Sequence, residues 1–232
     1  MRFVLGQAPD DPSFHPDPHA GWRKVREMGP RALMAVGTIM GIPLTVLIGF
    51  LWSRIPLSPL SFRIDSIGLG SWSVVLLPLI MMIVIATFFI VLVVAHEFVH
   101  LLAFPRFGLT SATVFGVWPS RLLPYAHHSG PVSYRRIMVV ALAPFIVLSV
   151  VPLLASYIGL LRSPLWALFS ILNAMACGGD VAICLMFAYQ LPRNATLRSK
   201  GWDTWWHDAE QTHALEPAAG SASNGESSPP AQ

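Results

Sequence analysis

Polar and apolar positions along this chain fall into long blocks rather than short alternations. Four blocks are almost purely apolar: Ala32–Trp52, Trp72–Phe104, Ile137–Leu161 and Pro164–Gln190. A helix that crosses the roughly 30 Å hydrocarbon core of a bilayer needs about 20 mostly apolar residues. Each block is long enough. The second exceeds one perpendicular crossing, which predicts tilt or protrusion. No Pro or Gly interrupts it between Leu79 and Ala103.

The segment between the second and third blocks reads differently. Ala112-Thr113-Val114-Phe115-Gly116-Val117-Trp118 is β-prone, and Pro119, Pro124, Gly130 and Pro131 punctuate the residues after it. This predicts a short β-hairpin or a re-entrant loop, the latter tolerated at membrane depth only where protein or a wet cavity shields it. The expected fold class is therefore an all-α integral membrane protein of about four transmembrane helices, with a short β-hairpin or re-entrant loop between spans two and three. Residues 1–30 read as a cytoplasmic arm and 31–190 as the transmembrane domain. Residues 191–232 read as a cytoplasmic tail. Trp202, Trp205 and Trp206 suggest a piece at the interface, and the Ala/Ser/Gly/Pro-rich stretch after about 215 is expected to be disordered. Ser58-Pro59, Gly68 and Gly70 mark turns between the first two spans.

Composition strengthens the membrane reading. Hydrophobic residues make up 54% of the 232 and charged residues only 12%, about half the charge of an ordinary soluble domain. Residues 1–30 lack the apolar core of a signal peptide, so the first span is expected to act as an uncleaved anchor. With residues 1–30 in the cytoplasm, twelve of the fifteen Lys and Arg residues fall on that side. Only Arg54, Arg63 and Arg162 fall opposite. The positive-inside rule thus predicts a multi-pass cell-membrane protein with both termini cytoplasmic. The basic balance reflects this bias, and no basic–aromatic stripe points to nucleic acid. Cys177 and Cys184 are seven apart on one helix. They cannot form a disulfide with each other and read as small buried hydrophobes.

Chemistry concentrates at the end of the second span, in His96-Glu97-Phe98-Val99-His100. Residues four apart share a helix face, so both imidazoles can address one ion, with Glu97 one step round and able to reach a water on it. Zinc is the expected ion, held by nitrogen and oxygen ligands with one position open. Asp180, the sole acid of the fourth span, is the candidate third ligand. An unpaired carboxylate there costs roughly 2.5–3.5 kcal/mol, so a partner is expected. Counted from the span ends at 1.5 Å per residue, the three ligands fall within roughly 10 Å of depth. Gly178 and Gly179 would let helices approach closely. Asn173, two turns before Asp180, could bond a substrate carbonyl or a metal ligand, or act as interhelical glue. A purely structural polar knot around Glu97 is the alternative for the motif. His127 and His128 read as solvated loop histidines. His15, His19, His207 and His213 lie in polar segments and receive no role.

These residues resemble the bacterial membrane proteins grouped as putative zincin peptidases, distantly similar to the site-2 intramembrane zinc metalloproteases. The resemblance rests on His96–His100, on Ala141-Leu142-Ala143-Pro144 and on the Asn173…Gly179-Asp180 region, and covers roughly residues 75–190. It implies His96, His100 and Asp180 as zinc ligands and Glu97 as catalytic base. Site-2 enzymes carry the aspartate before a Gly, with a Pro after the Asn; here the order is Gly179-Asp180 and that Pro is missing.

The expected function is hydrolysis of peptide bonds in membrane-associated proteins or peptides, near the cytoplasmic face. A substrate must be extended to expose its carbonyls, and an edge strand near Thr113–Trp118 could hold it by β-addition. The rival reading is a non-enzymatic membrane protein, a metal-ion transporter or a partner-binding subunit, using the same polar cluster. Polar groups confined to two short patches, without a repeat, favour the enzyme. The pattern carries no signal for an oligomeric state.

Overall fold

The computed structural model describes residues 1–59, 73–119 and 123–208. The turns expected at Gly68 and Gly70, the basic Arg63 and Arg121, and the stretch beyond 215 lie outside them. Among the described residues, four helices are long and apolar enough to cross a membrane. Helix α1 runs Pro30–Trp52. Pro30 opens it, where a missing N–H costs nothing. Thr38 and Thr45 spend their hydroxyls on the carbonyls of Met34 and Gly41, at 2.9 and 2.8 Å. Helix α2 is unbroken from Ser73 to Ala103. At 31 residues it is about 46 Å long. From Pro78 to Thr87 every residue is exposed.

The third apolar helix begins three residues earlier than its apolar block suggests. Ser133 caps α3 (Tyr134–Pro144) by accepting from the Arg136 N–H, a polar start that hydrophobicity cannot mark. Arg136 also donates to the Phe104 carbonyl at 2.9 Å, tying α3 to the end of α2. After Pro144 the helix widens into a π-turn at Phe145–Val150 and resumes as α4 (Val151–Tyr157). The last span is two pieces, α5 (Pro164–Ala176) and α6 (Gly178–Gln190), meeting at Cys177. The Cys177 N–H still bonds the Asn173 carbonyl, and its own carbonyl accepts from Val181, so the axis continues.

Helix α1 lies against the α5–α6 junction. Ile48, Trp52, Leu153, Ala167 and Ala174 form the core there. The Trp52 indole donates to Ser170 at 2.9 Å, while Ser149 and Ser170 exchange hydroxyl-to-carbonyl bonds at 2.8 and 2.9 Å. These polar groups in an apolar layer thus find partners, as low dielectric demands.

The all-α expectation is corrected: among the described residues the chain is mostly helical but carries two sheets. Strands β1 (Arg2–Leu5), β3 (Thr113–Trp118) and β4 (Leu123–His128) form the first, in the order β1-β3-β4. The expected hairpin is β3–β4. Strand β3 is central, with β1 parallel on one side and β4 antiparallel on the other. It is not an edge, so the β-addition expected at Thr113–Trp118 has no open strand there. The second sheet joins β2 (Arg23–Lys24), β5 (Val132–Ser133), β6 (Ala195–Lys200) and β7 (Asp203–Asp208) in the order β2-β7-β6-β5. Trp205 and Trp206 stand on β7, and Trp202 stacks on Trp118 with ring centroids 5.4 Å apart.

His127 and His128 are not solvated loop residues. Both lie on β4; His128 is buried, bonds Thr113 Oγ1 at 2.8 Å and stacks on Phe104. Burial, and then the neighbouring His128, hold the His127 imidazole down at about 4.

The segment preceding β2 is pinned to β6. The Asp11 carboxylate accepts from the Ser13 hydroxyl at 2.6 Å and from Arg198 at 2.7 Å, which lowers its pKa to about 2 from 3.8. A depressed carboxylate contributes stability above its unfolded pKa and loses it as pH falls through the folded one. Protection of this segment is therefore complete above pH 3.8 and lost as pH falls through about 2. Amide exchange at residues 8–14, corrected for intrinsic rates, is expected to accelerate across that window. Asp11→Asn is expected to exchange fast throughout.

Candidate metal centre

The last turns of α2 carry His96, Glu97 and His100. The helical period sets both imidazoles on the side facing α3 and the α5–α6 junction, their ring centroids 4.9 Å apart. Asp180, in the first turn of α6, straddles them. Its Oδ2 lies 3.2 Å from His96 Nε2 and its Oδ1 lies 3.4 Å from His100 Nε2. All three side chains are largely withdrawn from solvent, at 9%, 12% and 16% exposure.

The other nitrogen of each ring is anchored, which fixes its tautomer. His100 Nδ1 donates to the Val140 carbonyl at 2.8 Å. That carbonyl is available because residue 144, its natural donor one turn on, is proline and has no N–H. His96 Nδ1 bonds Asn173 Oδ1 at 3.0 Å. The orientation of the Asn173 amide is set from behind: Nδ2 donates to the Pro144 carbonyl at 3.0 Å and to Ser149 Oγ at 2.9 Å. Asn173 is fully buried, so its polar atoms serve these contacts. With both Nδ1 atoms protonated, each Nε2 presents a lone pair towards Asp180.

Two lone pairs against a carboxylate repel unless a cation or a proton lies among them. Asp180 Oδ2 is buried and has no hydrogen-bond donor, despite the ring nitrogen 3.2 Å away. The spacing fits an ion. Ligand atoms about 2.1 Å from zinc at the tetrahedral angle stand about 3.4 Å apart. Among the described residues, two overlapping sets bring metal-binding atoms within 4.8 Å of one another: His96 with Cys177 and Asp180, and His96 with Glu97 and His100. A dication here would also balance the two carboxylates, Asp180 and Glu97. The donor set, imidazole and carboxylate, suits zinc.

Glu97 is oriented by the first sheet. Its Oε2 accepts from the Ala126 N–H of β4 at 2.9 Å, and among the described residues Oε1 is given no hydrogen bond. Ala126 faces Phe115 on β3, and its N–H points away from that partner, out of the sheet and towards α2. The structure thus brings His96, His100, Asp180, Glu97 and Asn173 into one cluster and leaves His127 and His128 on β4.

Three contributors have no obvious mark in the sequence. The Val140 carbonyl and the Ala126 N–H are backbone groups. Cys177 reads as a buried hydrophobe, although Asn173, Cys177 and Asp180 stand at i, i+4 and i+7 and so share a helix face.

Residues 89–196 match the model of a family described as putative zincin peptidase. That segment contains every residue of the cluster, and the match supports a zincin-like family. No curated protein and no solved structure matches the chain.

Proposed function

We propose that this chain is a zinc metallopeptidase embedded in a membrane, cleaving extended segments of membrane-associated proteins or peptides. One observation carries the reading: a buried, undonated carboxylate oxygen lies 3.2 Å from an imidazole whose proton is pinned on its far side. His96, His100 and Asp180 would hold the ion. The ion's contribution when bound is Lewis acidity towards water and the scissile carbonyl.

The remaining work belongs to the chain's own groups. Glu97 takes the proton of the attacking water on Oε1, since Oε2 is engaged, and passes it to the leaving amine. Asn173 and the Val140 carbonyl are positioning groups that keep both Nε2 atoms unprotonated. Strand β4 is the sheet element beside the base. A substrate laid along it can offer its own carbonyl to the Ala126 N–H and release Glu97 for catalysis.

Two observations support placement in a bilayer. An α2 that is apolar and exposed on all sides along Pro78–Thr87 requires an apolar solvent. The second sheet also gathers β2, just before α1, β5, just before α3, and β6, just after α6, at one end of the helices. An even number of crossings separates each from the next. The excess of Lys and Arg at that end supports a cytoplasmic placement for it.

Zinc content of the detergent-purified protein tests the reading. About one zinc per chain is expected, and its loss in both His96→Ala and Asp180→Ala. A wild-type protein that stays metal-free after reloading would sink the proposal. The anchors should matter less. Asn173→Ala, and Pro144→Ala, which gives Val140 a competing N–H donor, are each expected to weaken zinc binding by about 10- to 100-fold in a chelator competition. Unchanged affinity in both would show that the Nδ1 contacts do not orient the rings.

A further inference from the structure

Cys177 takes no part in the proposed hydrolysis, yet it lies inside the cluster. It occupies the junction of α5 and α6, is completely buried, and forms no disulfide. Its backbone remains helical through the bonds to Asn173 and Val181, so its side chain is fixed on the face that carries Asn173 and Asp180. Its sulfur can reach within 4.8 Å of metal-binding atoms of both His96 and Asp180. The Asn173 Nδ2, whose two hydrogens go to the Pro144 carbonyl and Ser149 Oγ, also lies 3.4 Å from Cys177 Sγ. One carboxamide therefore orients an imidazole and packs against a thiol, which places the two side by side. The undonated oxygen of Asp180 lies in the same set.

We propose that Cys177 is a fourth protein ligand, closing the metal centre in its resting state. The inference rests on the zinc reading of the site. Coordination would break the S–H bond and form a sulfur–metal bond, the proton leaving the site through a water. His96, Asp180 and Cys177 form one set of metal-binding atoms and His100 adjoins Asp180 at 3.4 Å, so the four would supply as many donors as a closed structural site and leave no position for water. With Cys177 bound, Asp180 and the thiolate would balance the dication in place of the Asp180–Glu97 pair. That agrees with the observed resting place of Glu97 on the Ala126 N–H. Catalysis then requires the thiolate to leave, so the site is held shut by its own chain until substrate binds.

The test uses full-length protein loaded with cobalt(II), whose bond to a thiolate gives a sulfur-to-metal charge-transfer absorption in the near ultraviolet. The wild type is expected to show this band with one cobalt per chain. Cys177→Ser is expected to lose the band while retaining cobalt. Cys184→Ser, which removes the other buried thiol and belongs to neither ligand set, is expected to keep it. One cobalt per chain with no such band in the wild type, or a band that survives in Cys177→Ser, overturns the proposal and leaves the zinc reading standing. Failure of the wild type to take up cobalt overturns both.

Discussion

Glu97→Gln is expected to abolish peptide hydrolysis while the metal content stays at the wild-type level. Glutamine matches the shape of the side chain, and its carbonyl oxygen can still accept from the Ala126 N–H that Glu97 Oε2 now engages at 2.9 Å. The contact between α2 and β4 therefore survives. What disappears is a group able to take a proton. General acid–base catalysis contributes about 10²- to 10⁴-fold, or roughly 3–5 kcal/mol of barrier. A fall of that size in turnover, at unchanged zinc stoichiometry, is the expected result. Activity within about tenfold of wild type would remove Glu97 from the base role. Glu97→Ala should fall at least as far and should also loosen β4.

Gly178→Ala is expected to cost both the metal and much of the stability, whereas Gly179→Ala is expected to cost neither. A Cβ on Gly178 would land on the Gly37 carbonyl oxygen and within 2.5 Å of the Gly41 amide nitrogen. All of these obstacles are backbone, and none can rotate away. On the other side of the contact, a Cβ on Gly41 would come within 2.5 Å of the Met175 carbonyl. Helix α1 and the α5–α6 junction therefore touch main chain to main chain, as small residues permit. Inserting a methyl group must push the junction outwards, and Asp180 is only two residues on. Displacing it by about 1 Å would break ligand geometry of the kind on which catalysis depends by about 10²-fold. The overpacking itself costs about 1–3 kcal/mol. A Cβ on Gly179 meets nothing within 4 Å, and that exchange gains helix propensity. Zinc content and the thermal midpoint of the two variants, side by side, check this. Equal values would show that the crossing of α1 is not what holds Asp180 in place.

The contrast between these neighbouring glycines also marks how far the sequence could be read. The four apolar helices follow from hydrophobicity, because each is a block of apolar residues long enough to form a membrane-length helix. The histidine pair follows from the helical period. The strands do not. Strand β2 is two residues long and carries no alternation, and its partner stands at the other end of the chain. The β6–β7 hairpin is mixed in polarity on both faces and turns on Gly201, whose φ of 58° is the single local mark. Asn173 is legible as a polar group two turns before Asp180, but the backbone anchors of the site escape for a different reason. Pro144 acts through a hydrogen bond it fails to make, and Ala126 acts through a backbone N–H; neither property belongs to a side chain. Cys177 shares its face with Asn173 and Asp180, but a thiol in an apolar helix is usually packing, and only its distance to His96 and Asp180 separates the two roles.

The second sheet has a consequence for how the molecule comes into being. Arg23 and Lys24 find their partners in Trp206 and Trp205, and Lys24 also pairs with Asp203, 179 positions later. Nothing synthesised in between can stand in for β7. Val25 shares one core with Phe187 and Leu191 at the end of the last helix and Ala195 and Leu197 of β6, so that core also stays open until the end. Contacts of such separation form late, after the loop entropy has been overcome. The final hairpin therefore works as a clasp that is fastened only once β7 has been made, and a ribosome still translating residue 190 holds a chain that has the residues of the cluster but not yet the sheet that frames them.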